Sequence, residues 1–401
     1  MKILFDHQIF FQNQYGGISK IFLEIFKRLD DKKIEYSCSV DLSGYTEGII
    51  FEKYTKKLIN RVSFFSLYTA YKVGIVLLQK LKFPIPDFIL SKDSGVKRLS
   101  LSKQIMCLNE EVNDAILKDE YTVFHPTYYH RYFLPLLKKS NTKMVLTIHD
   151  CVHEIFPEFY GSNNFILRNR EILSVAADKI VCVSHSTKAD FLRLYSHIPE
   201  EKVSVIYNAG DLSKEPILNP SPFDKEYLLF VGNRGEYKNF NFLLKAFSLI
   251  PKEKNLYLVC AGGKKFSPHE QYEINNMNLE KQVVHVSFSS ETTLANLYRN
   301  AKLFIYPSLY EGFGIPILEA MSVGCPVFCS QINVFKEVAG DAAEFFDPLN
   351  PSALSDLLVE SLDSIEKLNS LRVKGFTRVQ NYSWEKCADS YLKIYKELSK
   401  V

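Results

Sequence analysis

The chain has 401 residues, 46% of them hydrophobic, and a formal net charge of only +3. That length supports two domains with separate cores, and so balanced a charge gives no global argument for a nucleic-acid partner. No run approaches the ~20 apolar residues of a membrane span, and the eight cysteines lack zinc-ligand spacing and read as reduced, buried thiols of a cytoplasmic protein.

The opening MKILFDHQIF is interrupted by Asp6 and His7, so it reads as a first strand, Lys2 to Phe5, rather than a signal peptide. Ile18, Ile21, Phe22, Ile25, Phe26 and Leu29 then recur at helical spacing. Gly16 and Gly17 form a glycine joint at the start of that helix. From residue 51 to 104 the character changes, with eleven Lys/Arg against three Asp/Glu and interleaved aromatic and aliphatic residues. Such a basic amphipathic stretch suits an anionic membrane surface, and it equally suits an insertion packed on its own domain.

Strands and helices then alternate. Tyr121 to Phe124 reads as a strand before HPTYYHRYF, and Lys143 to Ile148 as one ending in His149-Asp150. Lys179 to Val183 leads into Ser184-His185-Ser186, with Ser186 a good helix N-cap. Val203 to Ile206 ends in Tyr207-Asn208. Apolar strands separated by helices predict a parallel sheet covered on both faces, with ligands beyond the carboxyl ends of its strands. His149, Ser184 and Asn208 all fall there. The Pro-rich stretch 213–224 reads as a hinge between a first domain, 1–212, and a second, 225–380.

The second unit opens with strand Tyr227 to Val231 and the loop GNRGEYKN. Gly232 makes the turn, and Arg234 and Lys238 supply two cations able to hold a diphosphate. Strands follow at Leu256 to Val259 and Val283 to Val286, with Gly262 and Phe288 after them, then a helix from Glu291 to Asn300. The strand Leu303 to Tyr306 runs into PSLYEGFGIPILEAMSVGC. Glu311 lies just past the strand, Gly312-Phe313-Gly314 makes a turn before Ile315, and a helical segment runs from Ile317 to Val323 with Pro316 in its first turn. Glu319 lies inside that helix. Free N–H groups at a helix N-terminus favour a phosphate, and two carboxylates beside it can grip hydroxyl groups. Together they describe a site for a sugar carrying a diphosphate. The tail, 381–401, contains an amphipathic helix from Trp384 to about Leu398.

The string EGFGIPILEAM resembles the E-x7-E motif of the retaining family 4 glycosyltransferases of GT-B fold. TIHD, VSHSTK and VIYNAG look like that family's further landmarks, so the resemblance covers nearly the whole chain. It implies two Rossmann-like α/β domains facing a cleft, with the last helix crossing back to the first domain. It implies that Gly16 and Gly17 wall the donor phosphates, that His149 contacts the donor sugar, that Lys238 and Arg234 hold the diphosphate, that Glu311 meets the sugar and that Glu319 holds the ribose. Arg234 stands one position away from the family's usual arginine. His125, Tyr128 and Tyr129 are acceptor-side candidates, although plain loop packing accounts for them as well. No metal or cofactor is expected, and the sequence contains no Asp-x-Asp.

The wording around DHQIF, YGGISK and IHD looks most like transferases of bacterial surface polysaccharide assembly. That implies a GDP-sugar donor in preference to a UDP-sugar, a lipid-linked glycan acceptor, and a post on the inner face of the cytoplasmic membrane. The competing readings are a sugar-nucleotide epimerase or phosphorylase on the same fold, and a catalytically silent nucleotide-sugar-binding subunit. A nicotinamide dehydrogenase is disfavoured, because neither half carries G-x-G-x-x-G after a strand.

Overall fold

Short apolar runs bounded by glycine, proline and polar residues form two parallel sheets, since a parallel strand is buried on both faces and needs no polar alternation. The computed structural model describes residues 1–12, 16–39, 105–161, 164–212, 223, 225–288 and 290–400. The basic stretch 51–104 and most of the expected hinge lie outside the described residues.

Strands β1 (Ile3–Phe5), β2 (Tyr36–Cys38), β3 (Val123–His125), β4 (Lys143–Ile148), β5 (Lys179–Cys182) and β6 (Val203–Val205) form the first sheet, in the spatial order β2-β1-β3-β4-β5-β6. Strands β7 (Tyr227–Val231), β8 (Tyr257–Ala261), β9 (Val283–Val286), β10 (Leu303–Tyr306), β11 (Val327–Ser330) and β12 (Glu344–Phe346) form the second, in the order β12-β11-β10-β7-β8-β9. All neighbouring strands pair parallel. Each sheet with its helices is one lobe, and the fold is GT-B.

The strand order places the site. β1 has β2 on one side and β3 on the other, and β7 has β8 on one side and β10 on the other. Chain progression reverses direction at those two strands, so a crevice opens beyond their carboxyl ends. The loops after β1, β3, β7 and β10 therefore line the cleft.

Three strands go beyond the sequence reading: β2, β11 and β12, each of only three or four residues. So short a segment carries no usable period. Other boundaries move: β8 runs on to Ala261, and the helix expected from Ile317 starts at Ile315. β3 extends to His125, and the helix after β5 is capped by Ser184, whose hydroxyl accepts from Thr187 N–H, rather than by Ser186.

The helix Gly17–Asp31 buries Ile21, Phe22, Ile25, Phe26 and Leu29. The last helix, Trp384–Leu398, packs against it. That returning helix inserts Tyr391 and Tyr395 into the first lobe, where the Tyr395 hydroxyl meets His125 Nδ1 at 2.7 Å and the Tyr391 hydroxyl meets Thr147 Oγ1 at 3.0 Å. One apolar cluster runs from Ile3 and Phe5 through Ala320 and Phe335 to Tyr395, so the lobes share a core. Among the described residues no helix is long and apolar enough to cross a membrane.

Candidate active site between the lobes

On the second lobe, β10 ends at Tyr306 and the chain turns through Ser308 to Glu311. The Ser308 hydroxyl donates to Glu311 Oε1 at 2.7 Å. Lys238, in the single turn Glu236–Lys238 after β7, donates to the same carboxylate and to the Tyr306 hydroxyl at 3.3 Å. Leu309 N–H to the Tyr237 carbonyl, at 2.8 Å, ties the two loops together. Burial opposes the charge on Lys238, but Glu311 outweighs it and raises the ammonium pKa above the ordinary lysine value. The ammonium is therefore protonated.

Gly314, at φ +113°, turns the chain into the helix Ile315–Ser322. An L side chain rarely adopts that backbone conformation. No side chain caps this helix start; Pro316 has no N–H and the Ile317 N–H donates to the Gly314 carbonyl at 3.0 Å, which leaves the Ile315 N–H for an anion. Further along the helix, Glu319 is only 6% exposed, and Lys20 of the first lobe donates to its Oε1 at 2.9 Å. Lys20 also meets Glu291 at 2.9 Å.

On the first lobe, His149 follows β4. Its backbone N–H donates to the Tyr129 hydroxyl at 3.2 Å, and its side chain is buried with Nδ1 unpartnered. Burial pulls its imidazole down to about 4, so the ring is neutral at physiological pH. Arg170, 1% exposed, holds this turn in place. Its Nη1 donates to the Asp150 carbonyl at 2.9 Å and to Glu154 at 2.7 Å, and the guanidinium lies over the Tyr129 ring. Asn208 is also buried, with its Oδ1 unpartnered.

The lobes meet at Gly312. A Cβ there would lie 1.7 Å from the His149 carbonyl oxygen. The Ser184 and Thr187 hydroxyls both donate to the Gly312 carbonyl at 2.8 Å, and Cys151 N–H donates to the Tyr310 hydroxyl at 3.1 Å. Glu337 of the second lobe accepts from His185 N–H at 2.7 Å and Ser186 N–H at 2.9 Å, at the N-terminus of the helix His185–Leu194. Gly17 and Gly210 back this seam from the first-lobe side. A Cβ at Gly17 would be 3.8 Å from Ile315 Cδ1, and one at Gly210 would be 2.7 Å from the Ile315 carbonyl.

So the geometry gathers Lys238, Glu311, Gly314, Ile315, Glu319, Gly17 and the His149 turn around the seam. Gly232 at φ +121° and Gly262 at φ +81° cluster with Phe288 at the β7–β9 side, where Phe288 lies 3.1 Å from the position of a Cβ on Gly262. Gly16, next to Gly17, is the N-cap of the Gly17–Asp31 helix and has no side chain to cap it.

Five side chains differ from the sequence expectation. Arg234 is not aimed at a diphosphate. Its Nε pairs with Glu270 at 2.6 Å, its other nitrogens donate to the Gly262 and Lys264 carbonyls, and it stacks over Phe240 and Phe266. His125 is core, not acceptor wall: both ring nitrogens are bonded, to Tyr395 and to Thr147 Oγ1 at 2.9 Å, and burial pulls it down to about 3. Tyr129 is buried beneath Arg170, with its hydroxyl donating to the Thr147 carbonyl at 3.1 Å. Of the three acceptor candidates, only Tyr128 stays part-exposed. Ser184 is a cap and a clasp, and the Phe313 ring is packed between Tyr207 and Tyr382. Sequence reasoning missed Lys20, Ser308, Tyr306 and Arg170. Lys20 directly follows the Gly-Gly-Ile-Ser joint, which was the available signal. Among the described residues, no three His, Cys, Asp or Glu side chains gather as a metal site.

The chain is similar to known glycosyltransferases. Residues 214–378 match the family model "Glycosyl transferases group 1", and residues 102–214 match "Glycosyltransferase Family 4". The O-antigen chain mannosyltransferase B of Escherichia coli is 28% identical over 269 residues, covering 64% of this chain and 71% of its own. The O-antigen chain mannosyltransferase RfbU of Salmonella typhimurium is 31% identical over 265 residues, covering 61% and 73%. Anabaena HepE, solved with UDP and glucose, superposes with a TM-score of 0.69 at 16% identity, over 99% of this chain and 100% of its own.

Proposed function

Because the chain belongs to glycosyltransferase family 4, we propose that it moves a hexose from a nucleoside diphosphate onto a glycan hydroxyl with retention of anomeric configuration. The observation that carries this reading is the pairing of Lys238 with Glu311 beside an uncapped helix N-terminus, with Glu319 inside that helix and the His149 backbone against the Gly312 turn across the seam. In this reading Glu319 accepts from the ribose hydroxyls and Glu311 from a hydroxyl of the donor sugar. The bond from the anomeric carbon to the phosphate oxygen breaks, and negative charge grows on the diphosphate. Lys238 and the Ile315 N–H after Gly314 stabilise that charge. The acceptor oxygen bonds to the anomeric carbon on the face the diphosphate leaves, and its proton passes to a diphosphate oxygen. His149, neutral, orients the sugar rather than acting as a base. The residues at the seam supply this chemistry without a metal.

The two relatives named O-antigen mannosyltransferases support a mannose-type sugar, carried as a GDP-sugar in preference to UDP, and a lipid-linked glycan acceptor. The basic stretch 51–104 would dock the protein on the inner face of the cytoplasmic membrane. The test is transfer by purified protein from GDP-mannose, with UDP-sugars in parallel, to acceptors free or embedded in anionic vesicles. Product with the donor's anomeric configuration, read by NMR coupling constants, is expected. Changing Lys56, Lys57 and Arg61 to Ser should lower transfer to the embedded acceptor alone. Inverted product sinks the retaining mechanism, and equal loss on both acceptors sinks the membrane role.

A further inference from the structure

Two cations were expected on the donor diphosphate, and the structure withdraws one of them. The Arg234 guanidinium is spent on Glu270 and two backbone carbonyls, so Lys238 is the one cation left in the β7 loop for the diphosphate. A leaving diphosphate gathers charge on several oxygens, and one ammonium already shared with Glu311 is a poor match for it.

Lys20 lies where the second cation is needed. It stands in the first turn of the Gly17–Asp31 helix, on the first lobe, yet both of its described partners belong to the second lobe. Its ammonium bridges Glu319 and Glu291, each at 2.9 Å. The helix starts converge here as well, since the position of a Cβ on Gly17 is 3.8 Å from the Ile315 side chain at the uncapped start of the facing helix. Lys20 thus bonds the carboxylate assigned to the ribose, one turn along the helix whose start faces Gly17. An ammonium has three N–H donors. Glu319 and Glu291 use two, which leaves one for a ligand. Burial opposes its charge, but the two carboxylates outweigh that and raise its pKa, so it stays protonated.

We infer that Lys20 is the second diphosphate-binding cation, contributed by the lobe opposite Lys238, and that the same ammonium holds the Glu319 carboxylate in place for the ribose. This rests on the donor site proposed above. It makes donor binding a two-lobe event: the phosphates are gripped from both sides, so an occupied site favours the closed arrangement. It also explains why a first-lobe lysine should reach two second-lobe carboxylates, a geometry that the fold of either lobe alone does not need.

The test is calorimetric titration of the full chain and its Lys20→Met and Lys20→Arg variants. The titrants are GDP, UDP, ADP and CDP, each beside its parent nucleoside at millimolar concentration. Lys20→Met should weaken the preferred diphosphate roughly 10- to 100-fold more than its nucleoside, the value of one charge-assisted hydrogen bond, the nucleoside losing only the hold on Glu319. Lys20→Arg should recover most of the loss, and near-ultraviolet circular dichroism of each variant checks the fold. Equal weakening of nucleoside and diphosphate would overturn the inference, because Lys20 would then act through Glu319 alone. Unchanged diphosphate affinity in Lys20→Met would overturn it too. If the unaltered protein binds no nucleoside diphosphate, the donor-site reading itself falls, and the role of Lys20 falls with it.

Discussion

Gly312→Ala is expected to remove most transfer activity while leaving each lobe folded. The added Cβ would stand 1.7 Å from the His149 carbonyl oxygen and 3.0 Å from Asp150 Cβ, both on the opposite lobe. The obstacle is backbone rather than a flexible side-chain tip, so no rotamer change relieves it. The Glu311–Gly314 turn must back away from the His149 turn. The clasp from Ser184 and Thr187 to the Gly312 carbonyl then lengthens and breaks. A displacement of about 1 Å between reacting groups costs on the order of 10²-fold in rate, so kcat/KM should fall by roughly that factor or more. Thermal unfolding should move down, because the lobes share a core that includes the neighbouring Phe313, while far-ultraviolet circular dichroism should keep the signature of both folded sheets. Small-angle scattering should report a more open molecule. Activity within a factor of about three of the unaltered protein would show that the closed seam is not the reactive arrangement.

Lys238→Ala should act on turnover more than on binding. In the proposed reaction the ammonium faces charge that is largest as the diphosphate departs, and an interaction stronger in the transition state than in the ground state sets kcat. Removing such a preorganised donor costs about 10²–10³-fold in kcat, with a smaller rise in KM. The substitution also leaves Glu311 with only the Ser308 and Tyr306 hydroxyls as described partners, so a second variant is needed. Lys238→Arg keeps the charge and should recover part of the rate. Steady-state kinetics separates the two quantities. A large rise in KM with kcat unchanged would assign Lys238 to ground-state binding, and the electrostatic role would fall.

Much of this site was legible in the sequence because its logic is local. The strand Leu303–Tyr306, the glycine turn and the helix bearing Glu319 are contiguous, and each leaves its own mark: an apolar run, a positive-φ glycine, a proline in the first helical turn. Lys238 was legible for the same reason, since it follows a strand end within one loop. What local pattern cannot carry is the identity of distant partners. Arg234 looked available until its loop met Glu270, 36 positions away. His125 looked like a cleft residue until the returning helix brought Tyr395 against it from 270 positions on. Lys20 and Glu319 are 299 positions apart. The last two contacts were created by the two lobes or by the helix crossing between them, whereas Arg234 and Glu270 meet within the second lobe, where the loops after the neighbouring strands β7 and β8 come together. The strands β2, β11 and β12 escaped for another reason: three or four residues do not establish a period.

The central claim is that the seam between the lobes holds a nucleoside diphosphate against Lys238, Glu319 and the uncapped helix start. The most direct measurement is calorimetric titration of the purified, full-length protein with GDP, UDP, ADP and CDP, repeated with EDTA. The account predicts saturable one-to-one binding of one of them, GDP by preference, unchanged by EDTA and lost in Glu319→Ala. Binding of none by a folded sample, or binding that Glu319→Ala leaves intact, would contradict it.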